Sequence, residues 1–257
     1  MLNIKSLNSF NSIYIHGYAM STISISANNI DLDLSMYPSF VSALFIKQRN
    51  KWIKIAGYGI GAEIAVKSSK IICKGCDRRS FSEWTGLWFN PNDYIQYISK
   101  SFAEKTSKLI KYYNNLRIIV SSRDKPFILT LTFLSRNTDY HRNVRRWSRI
   151  IFNNLEYFEP HIIAKRINSM SKRSFQLNQL LEILDEISSI NFDRNPWILR
   201  RELMEIKYLG PKVVDAFLLF SGYDTIFTPS DIHLRRFSLK IGLIKNDKII
   251  VPSKKYC

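Results

Sequence analysis

The sequence predicts an α+β protein in which a small N-terminal antiparallel β domain is followed by an all-helical domain. Two observations predict this order: strand patterns fill the first third of the chain, and helical spacing of apolar residues fills the remainder. Apolar residues make up 46% of the 257 residues, which is enough to bury a core. We place the β domain at 1–90 and the helical domain at 91–257, with the pattern changing at the sequence NPND (90–93).

Strands are predicted from alternating apolar and polar residues before residue 90. The sequence ISISANNIDLDLSM (23–36) alternates, and KWIKIAGYGIGAEIAVKSSKIICKG (51–75) is rich in Ile and Val with glycine punctuation. The glycines of GYGIG (57–61) are not followed by a helix or by the Lys-Ser/Thr pair of a phosphate-binding loop. We therefore interpret them as strand and turn glycines.

Helices are predicted from about Asn90 onward, because apolar residues then recur at spacings of three and four. An Asx-Pro start signal opens the segment 90–113, and a short strand is expected at Leu116–Ser121. The remaining helical stretches are Pro126–Arg136, Asp139–Leu155, Gln176–Ser188, Pro196–Ile206, Lys212–Phe220 and Ser230–Ile241.

The net charge of +17 predicts a polyanionic partner, since each phosphate that Lys or Arg neutralises releases a counterion. An anionic membrane and a basic surface that serves only solubility are the alternatives. No apolar stretch reaches the roughly 18–20 residues of a membrane span, and the N-terminus lacks the pattern of a signal peptide. We expect a soluble protein without membrane association. Three cysteines cannot form a disulfide framework, which favours an intracellular location, in the cytoplasm and nucleoid or in a nucleus.

Basic residues are concentrated in the helical part of the chain. Between Arg123 and Arg173 there are eleven Lys or Arg residues and four acidic ones. The sequence RNVRRWSR (142–149) places four arginines within about two helical turns, with a tryptophan among them. A solvated helix face usually carries compensating Glu residues four positions away, and none is present here. The pattern favours a surface that faces phosphates.

The segment 201–237 combines a helical hairpin with a lysine and a carboxylate. A short turn at Tyr208–Pro211 joins two apolar helices, which predicts a helix-hairpin-helix over 206–213 whose unpaired N–H groups bind a phosphate. Lys212 follows in the first helical turn, where the helix dipole favours the neutral, nucleophilic amine. Asp231 lies 19 residues further on. Taken singly, Lys212 is a solvated lysine and Asp231 a helix N-cap, which Ser230 could also provide. Together, on a basic helical scaffold, they indicate catalysis.

The sequences LGPKVVDAFLLF (209–220) and TPSDIHLRRF (228–237) resemble the signature of the helix-hairpin-helix DNA glycosylase superfamily. The residues that match its turn, lysine, following aspartate and Asp-x-His are Gly210, Lys212, Asp215, Asp231 and His233. Within the superfamily, the chain is most similar to the 8-oxoguanine DNA glycosylases of the shorter archaeal type, which also place a β domain before the helices. The sequence FLSRNTDYHR (133–142) resembles a helix-start motif of that branch.

The resemblance implies a role for each matched residue. Lys212 would attack C1′ of the damaged nucleotide and form a Schiff base, from which β-elimination cuts the strand. Asp231 would stabilise the oxocarbenium-like sugar and help to deprotonate the lysine. Asn137 would fill the gap left by the flipped base, and Arg142 would face the opposite base. The residues that would hold backbone phosphates are Leu209, Gly210, Lys212 and His233.

Two departures from the family pattern concern the turn and the base pocket. The turn has Tyr208 where the family usually has a first glycine, which affects the geometry of phosphate binding. Ala216 stands where the eukaryotic-type enzymes have a pocket cysteine. The resemblance therefore supports the reaction more strongly than the identity of the excised base.

The pair Cys73-x-x-Cys76 has zinc-knuckle spacing, but the chain has only one other cysteine, Cys257. We interpret the pair as structural or as a disulfide. We expect no metal, no iron–sulfur cluster and no other cofactor.

These observations predict a bifunctional, metal-independent DNA glycosylase with AP lyase activity in base-excision repair. We expect it to act as a monomer on double-stranded DNA that contains a damaged base. The resemblance implies 8-oxoguanine, preferably opposite cytosine, as the lesion. One alternative is the same fold acting on another oxidised base, such as an oxidised pyrimidine. The other is a non-catalytic helix-hairpin-helix DNA-binding module in which Lys212 only contacts phosphate.

Overall fold

A computed structural model describes residues 10–15, 18–26, 30–90 and 99–242 of the chain. Six antiparallel strands form one sheet in the order β1-β2-β6-β5-β4-β3. The strands are β1 Phe10–Ile15, β2 Tyr18–Ser26, β3 Phe45–Gln48, β4 Lys51–Lys54, β5 Glu63–Lys67 and β6 Lys70–Lys74. The predicted N-terminal antiparallel sheet is confirmed.

One face of the sheet is buried beneath an apolar row that crosses four strands. Trp52 lies opposite Ile64, Ile64 opposite Cys73, and Cys73 opposite Ile23. All four side chains are at most 4% exposed. Because successive strand residues point to opposite faces, a slip of one position would expose the whole row. The row therefore determines the pairing register.

Part of the region predicted as strands is helical. Leu32–Met36 forms helix α1, a 3₁₀ turn spans Phe40–Leu44, and Arg78–Thr85 forms helix α2. The strand prediction was wrong at α1 because Asp31 caps a helix there. Its side chain accepts a hydrogen bond from the Leu34 N–H at 2.9 Å.

The described part of the chain after residue 99 contains eight α-helices, which confirms the predicted helical domain. None of the described helices is long and apolar enough to cross a membrane. A π-helical turn, Tyr140–Val144, runs directly into α5. The helices are α3 Lys100–Tyr112, α4 Lys125–Leu134, α5 Arg145–Ile151, α6 Pro160–Asn168, α7 Phe175–Ser189, α8 Pro196–Glu205, α9 Pro211–Phe220 and α10 Ile232–Lys240.

Two elements differ from the sequence prediction. Helix α6 was not predicted, although Pro160 starts it at a position where a missing N–H costs nothing. The segment Leu116–Ser121 does not form the predicted strand. Its backbone N–H groups bond instead to the carbonyls of Glu83, at 3.1 Å, and Phe220, at 2.9 Å. The segment therefore connects α2 to α9.

A single hydrophobic core contains residues of both the sheet and the helices. Trp84 of α2 packs edge-on against Phe45 of β3, with ring centroids 5.5 Å apart. Phe40 packs in the same way against Phe220 of α9, at 5.1 Å. The predicted division at 90–93 lies, apart from Asn90, outside the described residues.

A buried ion pair connects the sheet to the start of α4. Lys54 Nζ lies 2.7 Å from Asp124 Oδ2, and both side chains are 0% exposed. Asp124 also accepts hydrogen bonds from the Tyr58 N–H and the Ser121 hydroxyl. Burial lowers the pKa of Lys54, and the charge of Asp124 opposes that shift. Gly57 has φ +77°, and a Cβ there would lie 2.0 Å from Asp124 Oδ1, so this turn position requires glycine.

Cys73 and Cys76 form a disulfide, which agrees with the disulfide interpretation of the pair. Both residues are at most 3% exposed. Cys76 directly precedes Asp77, whose side chain caps α2 by accepting a hydrogen bond from the Ser80 N–H. The cross-link therefore joins the end of β6 to the start of α2.

Candidate active site

Helices α8 and α9 form the predicted helical hairpin. A buried ion pair holds them together: Arg200 Nε and Nη2 donate to the two carboxylate oxygens of Asp215 at 2.6 and 3.1 Å. The two side chains are 3% and 8% exposed. Asp215, which the sequence motif singled out, thus acts as a structural partner across the hairpin, and Arg200 is a residue that the sequence analysis missed.

The hairpin turn presents unpaired backbone N–H groups beside open space. Leu209 N–H bonds back to the Ile206 carbonyl at 3.1 Å. The N–H groups of Gly210 and Lys212 have no hydrogen-bond partner among the described residues. A Cβ built on Gly210 would meet no atom within 4 Å. The start of α9 can therefore accept a phosphate at the positive end of the helix dipole.

Tyr208 adopts a left-handed backbone conformation, with φ 69°, at the turn position where a first glycine was expected. Its hydroxyl donates to Glu182 Oε2 of α7 at 2.9 Å. Lys207 Nζ bonds the same oxygen at 2.7 Å, and this bond raises the pKa of Lys207. Arg136 Nη1 donates to the Tyr208 carbonyl at 3.2 Å. These bonds hold the turn in shape without the glycine.

Glycine and alanine variants of Tyr208 should measure the strain of its left-handed backbone, and Gly210→Ala should measure how far a side chain at the turn blocks DNA binding. Tyr208→Gly should be more stable than Tyr208→Ala by about 1–2 kcal/mol, because both lose the tyrosine contacts and only alanine pays for the left-handed backbone. Gly210, at φ −94°, has ordinary backbone geometry. Gly210→Ala should keep or slightly raise stability and weaken DNA binding. Urea unfolding and DNA titration measure the two effects, and equal stability of the two Tyr208 variants would contradict the strain argument.

Lys212 and Asp231 meet at the N-terminal ends of α9 and α10. Asp231 Oδ1 caps α10 by accepting hydrogen bonds from the His233 N–H at 3.0 Å and the Leu234 N–H at 2.8 Å. Asp231 Oδ2 lies 3.8 Å from Lys212 Nζ, an ion-pair distance longer than a hydrogen bond. The Lys212 side chain is 52% exposed and that of Asp231 is 27% exposed. The cap therefore orients one carboxylate oxygen and leaves the other facing the amine.

The loop 135–142 lies beside the hairpin, because Arg136 bonds to the turn at Tyr208. Asn137 is exposed and has φ 48°. Arg142 is also exposed, and its Nε lies 3.7 Å from Asp139 Oδ2. His233 is exposed on α10, with its backbone N–H engaged by Asp231. Asn137 and Arg142 are thus carried by one loop whose first residues contact the hairpin formed by α8 and α9.

The arginines of 142–149 divide into exposed and packed residues. Arg146 and Arg149 are exposed and form no ion pair with any residue that the structure describes. Arg145 is half-buried, with its guanidinium 5.6 Å from the Trp52 ring centroid. Trp147 is 4% exposed and belongs to the core. The exposed arginines are available for phosphates, whereas the tryptophan of this sequence is structural.

A concavity of about 650 Å³ lies away from the site just described, on the solvent face of the sheet. None of the predicted site residues lines it. Lys212 and Asp231, an amine beside a positioned carboxylate, mark the candidate active site better than the size of this concavity does. The residues that line the concavity are Gln48, Arg49, Asn50, Lys51, Glu63, Ala65, Lys67, Ile72 and Lys74.

The sequence matches no protein-family model and no curated protein. The fold does match solved structures over nearly its whole length, and DNA glycosylases are among them. The 3-methyladenine DNA glycosylase of Archaeoglobus fulgidus aligns with a TM-score of 0.64 and 12% identity, over 90% of each chain.

Two structures of DNA complexes align with higher TM-scores. The Clostridium acetobutylicum 8-oxoguanine glycosylase/lyase, in complex with double-stranded DNA containing cytosine opposite 8-oxoguanine, gives 0.69 at 14% identity, covering 98% of this chain and 90% of that one. The structure of MBOgg1 in complex with a low-affinity DNA ligand gives 0.70 at 14% identity, covering 96% and 91%. Similarity at this level of identity establishes the fold alone.

Proposed function

We propose that this protein is a bifunctional DNA glycosylase and AP lyase that excises a damaged base through a Schiff base on Lys212. The observation that carries the proposal is the placement of Lys212 Nζ 3.8 Å from Asp231 Oδ2 beside a phosphate-accepting hairpin. The fold supports it, since solved structures with this fold include glycosylases bound to DNA.

In the proposed reaction, the neutral amine of Lys212 donates its lone pair to C1′ of the damaged nucleotide. The C1′–N bond breaks, and the base leaves with the electron pair and takes up a proton. The charged Asp231 carboxylate stabilises the oxocarbenium-like sugar as the C1′–N bond breaks, and its Oδ2 then accepts the proton that the amine loses once it is bonded to C1′. Opening of the sugar ring gives the Schiff base. Loss of a C2′ proton then expels the 3′ phosphate and cuts the strand.

The DNA contacts follow from the surface around the pair. The free N–H groups of Gly210 and Lys212 hold a phosphate of the damaged strand. Asn137 fills the space left by the flipped nucleotide, and Arg142 faces the base opposite it. Flipping is required because C1′ is not accessible to in-line attack inside the duplex. The exposed His233 provides a second phosphate contact near the start of α10.

As the substrate we propose 8-oxoguanine, preferably opposite cytosine. The sequence resemblance of 133–142 and 209–237 supports this lesion, as does the fold similarity to the Clostridium acetobutylicum 8-oxoguanine glycosylase/lyase at a TM-score of 0.69. Ala216, which is 4% exposed in α9, stands where the eukaryotic-type enzymes have a pocket cysteine. The contact that the cysteine makes with the base in those enzymes is absent at this position. An oxidised pyrimidine is therefore the second candidate.

Borohydride trapping tests the reaction and the substrate together. The full chain is incubated with duplexes that contain 8-oxoguanine, an oxidised pyrimidine, an abasic site or no damage, and the Schiff base is reduced. A covalent adduct with the 8-oxoguanine duplex alone among the damaged bases supports the proposal. An adduct with the pyrimidine lesion instead would show that the substrate is an oxidised pyrimidine. No adduct on any duplex would contradict the proposed reaction and favour a non-catalytic DNA-binding module.

Replacing Asp231 with asparagine should separate its two roles. Asparagine is also a good N-cap, so the hydrogen bonds to His233 and Leu234 and the stability of α10 should be retained. Base excision should fall by about 10²–10⁴-fold, because the acceptor of the lysine proton and the charge beside the sugar are lost. Single-turnover kinetics and thermal unfolding measure the two roles. If Asp231→Asn keeps both the stability and the excision rate of the wild-type chain, capping alone explains the residue.

A further inference from the structure

Tyr37 and His141 form an exposed stack of two aromatic rings outside the residues assigned above. Their centroids lie 4.0 Å apart with an interplanar angle of 23°. Tyr37 is 58% exposed, so the ring face turned away from His141 is open to solvent. Each ring comes from a different part of the chain, one from the end of α1 and the other from the π-helical turn.

The stack is held in place by the residues on either side of it. Tyr37 closes α1, with its N–H bonded to the Asp33 carbonyl at 3.0 Å. Two residues on, the Ser39 carbonyl accepts a hydrogen bond from the Tyr140 hydroxyl at 2.9 Å. Burial raises the pKa of Tyr140 to about 12, so this donor stays protonated near neutral pH. The two segments that carry the rings are therefore fastened together beside the stack.

The surroundings of His141 favour the neutral form of its imidazole. Burial lowers its pKa, and the positive charge of Arg145 lowers it further, whereas Asp139 acts in the opposite direction. Its Nδ1 atom is buried and has no hydrogen-bond partner among the described residues. The imidazole, stacked on Tyr37 and packed edge-on against Tyr140, provides a flat support for the Tyr37 ring.

The stack lies on the loop that reaches the candidate active site. Arg136, at the beginning of that loop, bonds to the hairpin turn four residues before Lys212. Asn137 follows, and His141 directly precedes the exposed Arg142. The same short loop therefore contacts the hairpin and carries Asn137 and Arg142, the residues proposed to face the gap and the opposite base. It also carries His141 of the aromatic stack.

We propose that Tyr37, backed by His141, is a stacking platform for an unstacked nucleobase of the DNA substrate. This inference rests on the proposed function, because that function supplies a duplex with one base flipped out and its partner left unpaired. Every nucleobase has a flat face that stacks on an aromatic ring. The exposed face of Tyr37 offers such a ring, already ordered, next to arginines that hold the backbone.

A thermodynamic cycle on DNA affinity tests the platform. All proteins carry Lys212→Gln, so that binding is measured without chemistry. Tyr37→Ala should weaken binding to a lesion duplex by about 5–150-fold, the equivalent of about 1–3 kcal/mol per stacked base. Tyr37→Phe should bind within about two-fold of the parent, because its ring is kept. Tyr157→Ala removes another exposed tyrosine, one that forms no ring stack with the described residues, and serves as the matched control.

The same variants are then titrated with duplexes that lack one base. If Tyr37 stacks on the target base, its effect should vanish when a reduced abasic site replaces that base. If it stacks on the opposite base, the effect should vanish when that base is removed instead. Either result supports the platform. An equal effect on all three duplexes, or none on the lesion duplex, overturns it. Borohydride trapping with the wild-type chain reports separately on whether the proposed function holds.

Discussion

Replacing Lys212 with glutamine is expected to abolish the borohydride-trapped adduct and strand cutting. Glutamine is a polar side chain of similar length, but it has no lone pair that can attack C1′. The Lys212 side chain is 52% exposed, so the substitution should not disturb packing. Removing the nucleophile of a covalent enzyme costs up to roughly 10⁶-fold in rate. We expect single-turnover excision to fall by at least about 10⁴-fold on the same basis. Gel analysis of the trapped complex measures the adduct directly.

The matched control is Lys207→Gln. Lys207 is also exposed, lies in the same hairpin and forms an ion pair with Glu182 at 2.7 Å. Lys207 supports the turn through Glu182 and does not react, so its variant should still be trapped, with any loss confined to DNA affinity. The DNA affinity of Lys212→Gln should change much less than its rate of base excision. If Lys212→Gln is still trapped, the Schiff base forms on another amine and the assignment of the nucleophile is wrong.

The proximity of Lys212 and Asp231 could be predicted from the sequence because each residue belongs to a short local pattern. Lys212 follows a hairpin turn directly, and Asp231 precedes a helix at a position typical of an N-cap. The two alternatives considered for Asp231, cap and catalytic carboxylate, are compatible in the structure. One of its oxygens caps α10 and the other faces Lys212.

The supporting contacts could not be predicted because they join residues far apart in the sequence. Glu182, which anchors Tyr208, lies 26 residues before it. Tyr37 and His141 are in different domains of the predicted division. An isolated tyrosine or glutamate carries no periodic signal, so its partner becomes visible only after folding. Tyr208 itself was identified as a departure from the family turn, and only the structure shows the bonds that compensate for it.

Replacing Asp124 with alanine should lower the free energy of unfolding by about 3–5 kcal/mol, because it leaves a buried charge without a partner. Lys54 is 0% exposed and would have to lose its proton or draw water into the core. The Tyr58 N–H and the Ser121 hydroxyl would lose their acceptor as well. The loss is large compared with the roughly 5–15 kcal/mol that stabilises a typical domain. Urea unfolding at a constant m-value measures it.

The double variant Lys54→Met with Asp124→Asn shows whether the cost comes from the unpaired charge. Methionine fills the space between the Phe45 and Trp84 rings, which lie 5.0 and 5.1 Å from Lys54 Nζ, and asparagine keeps an acceptor for the Tyr58 N–H. We expect this variant to be at least about 2 kcal/mol more stable than Asp124→Ala, since a buried ion pair often adds little over apolar packing. The control is the exposed pair of Lys51 and Glu63, 2.6 Å apart. Glu63→Ala should lower the free energy of unfolding by no more than about 1 kcal/mol. If Asp124→Ala lowers it by no more than that, water reaches Lys54 and the charge is not buried without a partner.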